Sequence, residues 1–76
     1  MIIKNVPVSV GLRASELRHK LGMSQEKFAN SIGMARTYYA EFEAGKRNIS
    51  VKNLYRIVNG FGMSFQEFFA SEHFNK

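Results

Sequence analysis

Arginine, threonine and tyrosine stand side by side at residues 36 to 38 of this chain, and Lys46, Arg47 and Asn48 follow just past Gly45. A guanidinium fork, a hydroxyl and a phenol offer directional hydrogen bonds, and the second cluster adds positive charge. This is chemistry for recognising a surface. Chemistry for breaking bonds is poorly provided, because the chain has no cysteine and no aspartate, and His19 and His73 lie far apart on expected polar surfaces. No nucleophile has a base at useful spacing, so no catalytic residue is assigned and the chain does not read as an enzyme. Without thiolates there is no disulfide framework, and nothing in the pattern calls for a metal or another cofactor. Gly60-Phe61-Gly62 follows a helical pattern and reads as its stop rather than as a phosphate loop. Eleven Lys and Arg against six acidic residues give a formal net charge of +5, which favours a polyanionic partner.

The elements that must position these residues are helices. The spacing predicts a compact all-α domain over residues 1–76, five helices joined by short turns, with residues 1–8 as a short N-terminal arm. Val10, Ala14, Leu17 and Leu21 recur at helical spacing, with Ser9 placed to cap the start and Gly22 to end the helix. Ser24 can cap a short second helix whose apolar stripe is Phe28, Ala29 and Ile32, stopped by Gly33. A third runs from about 35 to 44, and a fourth opens at Ser50 with Val51, Leu54, Ile57, Val58 and Phe61 on one face. Ser64 with Glu67 makes a capping box ahead of Phe65, Phe68 and Phe69. The opening MIIKNVPVSV lacks the apolar run of a signal peptide and no stretch approaches a membrane span, so a cytoplasmic chain without membrane contact is expected. At this size a single core struggles to stabilise itself, so support from a second chain is expected.

At about 100° per residue, Tyr39, Phe42 and Glu43 share one face of the third helix, opposite Thr37, Ala40, Glu41 and Ala44. Tyr39 is the tyrosine expected inside. Tyr38 falls on the flank with Arg36 and Thr37 in the first turn, pointing away from the core.

The stretch QEKFANSIGMARTYYAEFEA, residues 25–44, resembles the helix-turn-helix of phage repressors and Cro, the XRE-like family of transcriptional regulators. Helices two and three would form that motif, with Ala29 small at the crossing, Gly33 at positive φ in the turn, and Phe28, Ile32, Met34, Tyr39 and Phe42 buried between. Within the family, RTYYAEFEAGKRNISVKNL is most similar to the controller proteins of restriction-modification systems. The resemblance implies a homodimer on a palindromic double-stranded DNA operator, with two recognition helices roughly 34 Å apart. Arg36, Thr37, Tyr38 and Ala40 would face base edges; Arg36 could instead meet a phosphate, and Tyr38 could pack on the turn. Ser24, Gln25, Lys27, Lys46, Arg47 and Asn48 would hold the DNA backbone. Glu41 either accepts from a cytosine amine or repels phosphates. Arg18 and Glu43 are expected to form a partly buried pair, and Phe65, Phe68 and Phe69, with Phe74 nearby, to supply the dimer interface. Glu26 occupies a position some activating repressors use against RNA polymerase, but the plainer reading is preferred, a glutamate in a first helical turn favouring the dipole. With no second domain to bind an inducer, no small-molecule ligand is expected; regulation would rest on the protein's own concentration. A different reading is an antitoxin-like protein whose main task is holding a partner protein, distinguished by the neighbouring gene.

Overall fold

The computed structural model describes residues 6–74, and helix is the only regular structure among them. Helices α1 (Val6–Lys20), α2 (Gln25–Ser31), α3 (Arg36–Glu43), α4 (Val51–Gly60) and α5 (Phe65–Phe69) follow in order, and a closing 3-10 turn at Glu72–Phe74 is the last of the described elements. Helix α1 packs on α3 and on the closing turn, α2 on α3, and α4 on α5. Tyr39, Phe28, Phe42, Phe68, Ile57 and Val58 are fully buried where these contacts meet.

Local signals place most boundaries. Ser24, Ser50 and Ser64 each accept a hydrogen bond from the backbone amide three residues on, and Ser64 and Glu67 form the reciprocal capping box. The turn between α2 and α3 closes with Met34 N–H donating to the Ala29 carbonyl at 2.9 Å and Gly33 N–H donating to Asn30 at 3.2 Å. That pairing needs a left-handed residue between the two helices, and Gly33 supplies it at φ 67°. Ala29 is wholly buried at the crossing, as its size requires.

Four expectations are corrected. Val6 to Val8 belong to α1 rather than to an arm, because Pro7 in a first helical turn removes an amide that had no intrahelical partner. Ser9 is accordingly inside the helix and not its cap, and residues 1–5 lie outside the described region. Leu21 falls beyond α1 and is 54% exposed, and Val51 opens α4 at 75% exposed, so neither is core. Phe68 is fully buried and Phe74 nearly so, which removes both from a surface interface and leaves Phe65 and Phe69.

Two arginines that sequence spacing left without a role hold the helices together. Arg13 is buried in α1 and donates to the carbonyls of Phe68 at 2.7 Å and Glu67 at 3.0 Å, satisfying acceptors at the end of α5. Its third contact is Glu16 at 2.9 Å. Arg56 of α4 donates through Nη2 to the carbonyls of Ile32 and Gly33, both at 2.8 Å, and so clamps the turn that orients α3.

Candidate nucleic-acid interface

Helix α3 begins at Arg36 behind Ala35, whose methyl cannot cap, so its first amides have no side-chain acceptor. Arg36 and Thr37 are exposed there. With Ala40, Glu41 and Ala44 they line a shallow open hollow whose other walls are Gln25 from α2 and Lys46 from the following loop. Five residues expected to touch nucleic acid, Arg36, Thr37, Ala40, Gln25 and Lys46, thus converge on one surface. Ser24 and Lys27 are also exposed, with Ser24 Oγ accepting from the Lys27 amide at 3.1 Å.

Tyr38 does not join that hollow. It is half-buried against the core, accepts a hydrogen bond from Asn53 Nδ2 at 3.1 Å, and lies beneath the Arg47 guanidinium, 4.5 Å from the ring centroid. The expectation that it points away from the core is therefore only half right: one edge packs against α4. Arg47 also pairs with Glu41 at 2.7 Å, a contact outside both roles considered for that glutamate. Both partners are more than 40% exposed, and such pairs contribute about 0–1 kcal/mol, so the pair holds Arg47 only weakly. Asn48 is exposed in the same loop and borders an apolar groove with Val10, Phe42, Ile49, Leu54 and Phe69.

The inner face of α3 is fixed by a buried pair. Arg18 donates to both Glu43 carboxylate oxygens at 2.7 and 3.0 Å and to the Met23 carbonyl at 2.7 Å; the two side chains are only 9% and 5% exposed. Gln25 adds a third bond to Glu43 at 2.9 Å, which uses one of its two amide hydrogens. Burial by itself raises a carboxyl, but the hydrogen bonds from Arg18 and Gln25, with the Tyr39 phenol nearby, outweigh it and hold Glu43 below its ordinary value. Burial, and then Glu43, pushes the Tyr39 phenol far up, although its hydroxyl has no partner at good hydrogen-bonding geometry. Glu26 is exposed in the first turn of α2.

An exposed helix start backed by a clamped turn and a buried ion pair defines a helix-turn-helix protein. Residues 15–68 match the helix-turn-helix family, and the chain belongs to it. Among curated relatives it is similar to Control protein C.MunI of Mycoplasma sp, 39% identical over 69 residues covering 90% of this chain and 93% of the relative. Control protein C.BamHI of Bacillus amyloliquefaciens is 35% identical over 60 residues, 78% of this chain and 74% of that one. The fold is shared with the restriction-modification controller protein C.Esp1396I, solved as a tetramer with its natural 35 base-pair operator: TM-score 0.85, 29% identity, 93% of this chain and 96% of that chain. It is shared too with the controller protein C.AhdI of Aeromonas hydrophila: TM-score 0.79, 34% identity, 84% and 97% covered.

Proposed function

We propose that this protein is a sequence-specific, DNA-binding transcriptional regulator that controls a restriction-modification system. The observation that carries the proposal is the open hollow in which Arg36 and Thr37 stand at the exposed start of α3 between Gln25 and Lys46. The relatives named as control proteins support the narrower assignment over the antitoxin-like reading. Arg36 supplies a bidentate pair for guanine, Thr37 a base-edge or methyl contact and Ala40 close approach, while Ser24, Gln25, Lys27, Lys46, Arg47 and Asn48 hold the backbone.

The test is binding to the region upstream of the protein's own gene, in competition with excess unrelated duplex. Arg36→Ala is expected to cost about 1–3 kcal/mol on the specific duplex and to relax discrimination. Arg47→Ala is expected to weaken both duplexes alike and to flatten the salt dependence by about one unit of slope. Equal competition by any duplex with the native protein would refute the assignment.

Two such domains are needed to read a palindrome, and α4 and α5 present a surface for pairing. Tyr55 and Phe65 have ring centroids 5.9 Å apart, and Phe65 and Phe69 6.4 Å, in a row that is 56%, 37% and 36% exposed. A homodimer closed on this row follows from its apolar character. Phe65→Ser is expected to leave the helical content intact and to shift sedimentation at micromolar concentration from dimer to monomer. With dimerisation coupled to operator occupancy, the protein's own concentration sets its activity. An activating branch of the scheme would use exposed Glu26 against RNA polymerase.

A further inference from the structure

The Tyr38 hydroxyl is held in one polarity, and the cause lies in α4. A guanidinium carries only donors. Arg56 is fixed against the turn by its two carbonyl bonds, and its Nη1 faces Asn53 Oδ1 at 3.5 Å. An Asn53 amide turned the other way would set its NH2 against that guanidinium, donor against donor. Asn53 therefore shows its oxygen to Arg56 and its Nδ2 to Tyr38, whose oxygen accepts at 3.1 Å. The Asn53 backbone is held as well, because its amide donates to Ser50 Oγ at 3.1 Å. The phenol hydrogen cannot be given to Asn53, because the Asn53 group it faces is itself a donor. The hydrogen is left for an outside acceptor.

We propose that Asn53, steered by Arg56, is a positioning residue for recognition: it presents the Tyr38 hydroxyl to nucleic acid as a hydrogen-bond donor. The acceptors that fit are purine N7, guanine O6, thymine O4 and a phosphate oxygen, whereas the exocyclic amines of adenine and cytosine, being donors, cannot take that hydrogen. The inference rests on the reading of the chain as a DNA-binding regulator.

Asn53→Asp tests it. The carboxylate keeps the Arg56 contact, so the turn stays clamped, but it accepts from Tyr38 and draws the phenol hydrogen inward. Affinity is measured for the upstream duplex and for an unrelated duplex, with Asn53→Asp placed in the native protein and in Tyr38→Phe, and thermal melting checks each fold. The expected result is about a tenfold loss on the upstream duplex when the hydroxyl is present and less than about twofold when it is absent. The added negative charge repels DNA in both backgrounds, so it does not imitate this pattern. A loss confined to the upstream duplex identifies a base acceptor, and an equal loss on both duplexes a phosphate. The same loss with phenylalanine at 38 would overturn the inference. A native protein that does not discriminate the duplexes overturns the DNA-binding reading, and this inference with it. Should Asn53→Asp melt early, Asn53→Leu replaces it: the phenol is then free to turn rather than held inward, so a smaller loss is expected, and that loss must again require the Tyr38 hydroxyl.

Discussion

Glu43→Ala is expected to remove about 3–5 kcal/mol of folding stability, the largest single effect we foresee, because it leaves the Arg18 guanidinium buried without its counter-charge. Arg18→Ala strands the carboxylate in the same way. A domain of ordinary stability has about 5–15 kcal/mol in total, so either change consumes much of it. Replacing both residues by methionine is expected to cost less than either single change, since no uncompensated charge remains. Urea unfolding of the three variants measures the comparison, and a double variant weaker than both singles would show that the pair contributes more than its own neutralisation.

The same pair makes the fold sensitive to acid. Glu43 sits below its ordinary value of 4.5 in the folded protein, so the unfolded chain takes up its proton first as pH falls. Its contribution is fully present above pH 4.5 and is lost as pH falls from there through the lower folded value. The native protein should lose stability across that window, and Glu43→Gln should show a shallower slope. Glu16 is also held low, first by its hydrogen bond from Arg13, but its side chain is 42% exposed and solvent screening reduces its share.

Gly11→Ala is the second large effect, and its sign is the informative part. In an exposed helix interior, alanine is preferred to glycine by about 1 kcal/mol. Here a Cβ on Gly11 would stand 2.5 Å from the Glu43 carbonyl oxygen and 2.6 Å from that of Phe42. Those are backbone atoms of α3, and relieving the clash means prising α1 from α3 where Arg18 and Glu43 join them. Overpacking of this kind costs about 1–3 kcal/mol and occasionally more. A lower melting temperature together with weakened operator binding is the expected outcome; a higher melting temperature would mean that the two helices separate freely.

What could be read from the residues alone was local. Serine caps, the glycine in the turn, the helical stripe of α4 and the inward Tyr39 depend on neighbours within a few positions, and the structure has them where spacing put them. The Arg18 and Glu43 pair was legible only through family resemblance. Arg13 and Arg56 gave no signal, because a guanidinium that reaches backbone carbonyls 55 and 24 residues away carries no periodicity. The row of phenylalanines in α5 announced an apolar element but not which member points inward, since a five-residue helix is too short for its stripe to decide. Tyr38 was ambiguous for the opposite reason: its partners Asn53 and Arg47 come from two other segments.

Helix α1 carries both Arg13, which grips the end of α5, and Arg18, which grips α3. In the dimer proposed above, α1 is one of two braces between the joint and α3, the other being α4, which carries Tyr55 at the joint and whose Arg56 grips the turn before α3. The distance between the two α3 helices would then be set by α1, α4 and their three arginine bolts, while on the proposed reading the letters belong to α3. Half-site separation and half-site sequence can accordingly drift independently among regulators of this build, each without retooling the other.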